Sequence, residues 1–137
     1  WLEADLTTHP TRCALAYWHD PRWSSGEHGS FESMQPIRSL LARPSVDNLS
    51  GHDDDDEHLQ PLDTDDHPDP RHGMKEFVVG TGGRSLRPLG NPLPTSARGA
   101  DTTFGVLRLE LYPNHYSWRV VAIPRANFTD SGSAACH

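Results

Sequence analysis

Basic residues, cysteines and long apolar runs are all scarce in this chain, and each scarcity removes a class of function. Lys and Arg number 12 against 19 Asp and Glu over 137 residues, a formal charge of −7. Nucleic-acid binding requires a basic patch, and none is visible. No apolar run approaches the ~20 residues that span a bilayer as a helix, so no membrane partner is expected. The only cysteines are Cys13 and Cys136, near opposite ends. A disulfide between them would close almost the whole chain into a loop and contribute about 4–5 kcal/mol through the unfolded state. Two buried free thiols are the alternative, and spacing alone does not choose. Hydrophobic residues make up 34 %, with 12 Pro and 11 Gly, a polar, loop-rich composition for one domain or a piece of one. No signal sequence is visible and Trp1 stands where an initiator Met would, so a processed product or an internal fragment is expected.

The negative charge is concentrated. Residues 52–72 hold nine acids against Arg71 alone, which leaves the rest of the chain close to neutral. This acidic segment contains three prolines, and its composition predicts a loop or partial disorder over residues 53–73. A second loop rich in Pro, Gly and Ser is expected over residues 84–100.

Between these loops the pattern predicts short elements. Leu2 and Leu6, four apart, read as the end of an amphipathic helix closed by His9-Pro10. The run from Arg12 to Trp18 reads as a buried strand. Met34, Ile37, Leu40 and Leu41 define a helix from Ser33 to Ala42 that Pro44 would stop. Val46 to Leu49 is a weak strand interrupted by Asp47 and Asn48, and Glu76 to Gly80 is a clear one. In Phe104 to Tyr112, Leu107, Leu109 and Leu111 alternate with Arg108 and Glu110, the pattern of a half-buried strand. A turn at Pro113-Asn114-His115 then leads to a partner strand from Tyr116 to Ile123.

Two histidines, His19 and His52, stand where a strand-like run gives way to a polar loop. A side chain at a strand end is held firmly yet meets solvent, which suits a metal ligand or a phosphate contact. A hydrogen-bonded structural histidine is the alternative at each. His28 follows in a Ser/Gly-rich loop, where an ordinary surface histidine is equally at home. His58, His67 and His72 read as loop histidines. The run Asp53 to Glu57 lacks the spaced ligands and glycine of a calcium loop, so solvation is expected. Gly80-Thr81-Gly82-Gly83 is not followed by Lys-Ser/Thr and is not a P-loop. Asn48-Leu49-Ser50 and Asn127-Phe128-Thr129 match the glycosylation sequon, a weak signal.

Four segments carry a resemblance: Ala16-Tyr17-Trp18-His19-Asp20-Pro21-Arg22-Trp23-Ser24-Ser25-Gly26, Leu49-Ser50-Gly51-His52, Glu76-Phe77-Val78-Val79-Gly80-Thr81-Gly82-Gly83, and Phe128-Thr129-Asp130-Ser131-Gly132-Ser133 with Cys136. In this order they resemble the C-terminal half of calcineurin-like metallophosphoesterases, most nearly the secreted bacterial branch related to purple acid phosphatases. The resemblance implies the C-terminal part of a four-layer α/β/β/α sandwich occupying residues 1–137, a phosphate-ester substrate, and two divalent or trivalent metal ions such as Zn, Fe or Mn. Of the five ligand blocks in that family, three have no counterpart in these residues. His19 matches the fourth, and His52 matches the first His of the Gly-His-x-His fifth, both serving one metal. Asp54 stands where the second His is expected. A carboxylate there can ligate an oxygen-favouring ion, although it equally belongs to the solvated acidic run.

By the same resemblance His28 would contact phosphate or protonate the leaving group, and Cys13 would pair with Cys136. The implied protein is a secreted hydrolase. With three blocks missing, this chain alone would hold at most one metal weakly and would not turn over. Half a sandwich leaves a sheet face uncovered, so self-assembly or a partner chain supplying the other half is expected. The contrasting reading is a catalytically silent relic acting as a structural module.

Overall fold

The computed structural model describes residues 1–42 and 47–136. The described chain is mixed α/β, mostly strand, with two sheets and two short helices. Helix α1 (Leu2–Thr8) leads into β1 (Leu15–Tyr17). A 3-10 turn (Glu32–Met34) precedes α2 (Gln35–Ala42). The strands β2 (Asp47–Ser50), β3 (Asp56–Leu59), β4 (Glu76–Val79), β5 (Ser96–Ala100), β6 (Gly105–Leu111), β7 (His115–Ala122) and β8 (Ser131–Ala135) follow. The proposed stop at Pro44 and the start of the weak strand at Val46 lie outside the described residues.

The first sheet has the order β1-β2-β4-β3-β5. Strands β1, β2 and β4 run parallel, and β3 lies antiparallel between β4 and β5. The second sheet is the antiparallel meander β6-β7-β8. On β4 the side chains alternate between two interiors. Phe77 points at the second sheet, packing with Tyr116 and Trp118 of β7 and with Leu49 and Leu107. The opposite face of the first sheet meets a second apolar group, Trp23, Leu41, Leu59, Leu62 and Met74, against which Leu2 and Leu6 of α1 pack. One sheet is therefore covered by helices and loop on one side and by the other sheet on its second side. Among the described residues no helix is long and apolar enough to cross a membrane.

Cys13, just before β1, is bonded to Cys136, just after β8, with Cα atoms 5.1 Å apart. The bridge joins the entry of the first sheet to the last strand of the second. It closes a loop spanning 123 positions, which the chain-entropy account makes worth about 5 kcal/mol.

The acidic segment departs from the sequence reading. Asp53 and Asp55 are completely buried, Asp56 and Glu57 nearly so, and Asp56–Leu59 forms β3 between two other strands. A strand paired on both edges and covered on both faces has little access to water, whatever its composition. Local partners hold part of this charge, since the Ser25 amide and hydroxyl both donate to Glu57, at 2.8 and 2.6 Å. His58, read as a loop histidine, is likewise buried in β3 and bonds Asp130 at 2.7 Å. Within the second expected loop, Ser96–Ala100 forms β5 along the outer edge of β3. In α2 the inward face also differs. Ile37 is exposed, while Arg38 is buried over the Trp23 ring.

Candidate metal centre

Because β1 and β2 are parallel neighbours, their C-terminal ends emerge side by side at one rim of the sheet. The chain leaves β1 through Trp18 and His19, and leaves β2 through Gly51 and His52. The two exits are tied together, since the Gly51 and His52 amides both donate to the His19 carbonyl, at 3.1 and 3.2 Å. Each imidazole is thus positioned by backbone rather than by a flexible loop. His52 Nδ1 lies 2.8 Å from His19 Nε2, with the rings edge-on at 86°. Asp20 Oδ1 is 3.7 Å from the same Nδ1, and the Trp18 indole N–H holds that turn by donating to the Asp20 carbonyl at 2.7 Å.

His19, Asp20 and His52 present donor atoms that all lie within 4.8 Å of one another. Two nitrogens each ~2.1 Å from one ion stand about 3 Å apart at right angles and about 3.4 Å apart in a tetrahedral set. The observed 2.8 Å is a direct ring-to-ring hydrogen bond, slightly shorter than the first value, so an ion would replace that bond with a small outward shift of the rings. Two imidazoles and a carboxylate make a mixed N/O set that suits Zn, Fe or Mn, so the residues present fit a borderline transition metal.

His28 joins the same rim from the loop after β1. Its ring lies 4.5 Å from the His52 ring, and the Phe31 ring closes against His52 edge-on at 5.2 Å. The His28 amide donates to Asp53 Oδ1 at 2.6 Å, which fixes the loop over the strand end. His19, His28, His52, Asp54, Arg84 and Arg87 line one open cleft.

Asp54 shares that cleft but takes another partner. It sits at φ +59°, and its carboxylate accepts from Arg87 Nε at 3.2 Å, while Arg87 Nη1 reaches Glu27 at 2.7 Å. Hydrogen bonding to Glu27, then to Asp54, holds the Arg87 guanidinium more firmly charged than usual. The turn is tight enough to need Gly80 beneath it. A Cβ on that residue would stand 2.5 Å from the Asp54 amide nitrogen and Cα and from the Gly51 carbonyl oxygen.

Beneath the rim the electrostatics change character. Burial, and then the neighbouring carboxylates of Asp53 and Glu57, push the Asp55 carboxyl up to about 8. Burial pushes Asp56 up to about 7, with Asp130 adding to it. Farther along the sheet, Glu76 is raised by burial to about 7 although the Arg22 and Trp23 amides donate to it.

Sequence reasoning named His19, His28, His52 and Asp54, and the fold brings all four to one cleft. It missed Asp20, whose only signal was its place directly after a candidate ligand. It also missed Arg84 and Arg87, two of the three arginines of a loop read from its Pro, Gly and Ser content. No protein-family model matches the chain, and no curated protein is significantly similar to it.

Proposed function

We propose that this chain contributes a metal-binding rim to a secreted phosphoesterase, within the C-terminal part of an α/β/β/α sandwich. The observation that carries the reading is the convergence of His19, His52 and Asp20 at adjacent parallel strand ends, with donor atoms within 4.8 Å of one another. The stack of helices, sheet and second sheet supports the sandwich, of which the remaining helical layer would cover the outer face of β6–β8. The disulfide fits an oxidising, extracellular setting.

In this reading His19, His52 and Asp20 hold the ion, and the bound metal would polarise a phosphoryl oxygen and lower the pKa of a coordinated water. His28, exposed and beside His52, would contact the phosphoryl group or hand a proton to the leaving oxygen. Arg84 lines the same cleft and, among the described residues, makes no ion pair, so its guanidinium is available to a phosphate. Arg87 is engaged by Asp54 and Glu27 and would shape the cleft wall.

One observation favours the contrasting reading of a silent module. Asp54, standing where a second ligand is expected, is paired with Arg87. Both readings are separated by assaying metal and turnover together. The chain is expected to take up one Zn²⁺ or Mn²⁺, lost in His19→Ala and His52→Ala, and to leave an aryl phosphate unhydrolysed unless a partner chain is added. Absence of saturable uptake would reject the metal-binding rim. Uptake without turnover under every partner condition would leave the silent module as the surviving reading.

A further inference from the structure

Directly under the histidine rim lies a second group of donors that the proposed function does not use. Asp53 and Asp55 alternate along the chain and turn to the same side, while Asp54 between them points to Arg87. Both are completely buried. Asp53 Oδ1 accepts the His28 amide, but Asp53 Oδ2 and both oxygens of Asp55 have no hydrogen-bond partner. The two carboxylates converge on Gly26. A Cβ on that residue would stand 2.5 Å from Asp53 Cγ and 2.6 Å from Asp55 Oδ2, so any side chain there would displace them.

Nothing cationic answers this charge among the described residues. The charges that act most strongly on Asp55 are those of Asp53, Glu57, Asp56 and Asp101, all carboxylates. Glu57 is already satisfied by Ser25, and Arg87 is occupied above. Two adjacent carboxylates buried with the His28 amide as their one hydrogen-bond partner would cost several kcal/mol. A single shared proton bridges two of the three bare oxygens and leaves the third without a partner. A divalent cation would instead draw on all three oxygens at once, completing its shell of about six or more from backbone carbonyls or water.

We propose that Asp53 and Asp55 form a buried site for a hard, oxygen-favouring divalent cation, Ca²⁺ or Mn²⁺, distinct from the histidine rim. Its donors are all oxygen, the preference of those ions, in contrast to the imidazole set above. The site has a consequence for the rim. Asp53 holds the His28 amide, so a cation that locks Asp53 in place also locks the loop carrying His28 against His52.

The test uses the full chain, stripped with chelator, with His19→Ala/His52→Ala as the background that removes the rim. Ca²⁺ and Mn²⁺ uptake is measured by equilibrium dialysis and thermal unfolding. The expected result is one ion per chain retained in the double variant, with a rise in Tm on the order of 10 °C at a hundred-fold excess over Kd. Asp55→Asn in that background should abolish both while keeping the near-UV circular dichroism of the parent. If Asp55→Asn does not fold, the stoichiometry in the double histidine variant decides alone. Absence of saturable uptake there, uptake indifferent to Asp55→Asn, or an Asp55→Asn chain more stable than a Ca²⁺-insensitive parent would overturn the proposal. The last result would assign the pair to a shared proton.

Discussion

The histidine rim and the acidic turn beneath it are one residue apart in sequence and opposite in physics. At the rim, His19 is exposed and His52 partly so. Their approach is fixed by backbone hydrogen bonds between parallel strand ends, so the side chains meet solvent without being mobile. Asp53 and Asp55 are sealed, and their arrangement depends on two glycines, Gly26 and Gly80, that allow backbone and carboxylates to pass within contact. The first region spends little folding energy on its chemistry. The second carries buried charge that the rest of the fold must offset. A residue's exposure, more than its type, decides whether a perturbation at this end of the sheet is felt as altered binding or as altered stability.

The largest effect should come from a place remote from both regions. Removing the Cys13–Cys136 bridge by Cys13→Ser/Cys136→Ser should cost about 4–5 kcal/mol, read as a fall in the urea midpoint. Because the bridge lies at the other end of β1 from the rim, the folded variant should keep the metal stoichiometry of the parent. A changed stoichiometry in a folded variant would mean that the rim depends on global tension rather than on its local hydrogen bonds.

Next is the glycine shared by both regions. Gly80→Ala places a methyl against backbone atoms of Asp54 and Gly51, which cannot rotate away, and should cost about 1–3 kcal/mol or more. Unlike the disulfide variant, it should weaken metal uptake as well, since Gly51 leads directly into His52. Unchanged uptake in that variant would separate the two regions more sharply than the structure does.

The pH response should distinguish them by sign. Glu76, Asp55 and Asp56 are raised by burial to about 7, 8 and 7. The folded state therefore keeps protons that the unfolded chain releases from about pH 4 upward. Their contribution is whole below that point and is lost as pH rises through about 7 to 8. His58, lowered chiefly by burial against the opposing pull of Asp130, acts the other way and loses its contribution as pH falls. Three groups against one make the metal-free chain more stable at pH 5 than at pH 8, with Glu76 supplying on the order of 2–3 kcal/mol of the difference. Glu76→Gln should flatten the slope between about pH 4.5 and 7. Metal uptake at the rim, which needs neutral imidazoles, should instead improve as pH rises. A urea midpoint that is level or increasing from pH 5 to 8 in the metal-free parent would contradict the buried-carboxyl account.

Legibility in the sequence followed the same divide. The β6–β7 hairpin could be read because Leu107, Leu109 and Leu111 alternate on a half-buried face, and His19 and His52 because each follows an apolar run. Strands β5 and β8, Ser-Ala-Arg-Gly-Ala and Ser-Gly-Ser-Ala-Ala, have no β-branched or alternating signal. Their conformation comes from pairing with β3 and β7, a tertiary contact that no local pattern reports. β3 was hidden for a stronger reason, since Asp-Glu-His-Leu reads as solvated until Ser25 and Asp130, the partners of Glu57 and His58, are in view. Asp20 was visible as a neighbour of His19 but not as a ligand, because its reach to His52 depends on the parallel register of β1 and β2.

The smallest effect on stability should accompany the most complete loss of binding. His52 is partly exposed, belongs to neither apolar core, and among the described residues meets His19, Asp20, His28 and Phe31 through its ring. The hydrogen bond that fixes its position is made by its backbone amide and survives truncation of the side chain. His52→Ala should therefore change the urea midpoint by less than about 1 kcal/mol. The same variant removes the nitrogen that stands within reach of both His19 and Asp20, leaving one imidazole and one carboxylate for the ion. Isothermal titration with Zn²⁺ should show saturable binding in the parent and none at the same concentrations in the variant, while Ca²⁺ uptake at Asp53 and Asp55 persists. A variant that loses several kcal/mol of stability would show His52 to be a structural histidine. One that still binds Zn²⁺ with unchanged affinity would place the zinc ligands elsewhere.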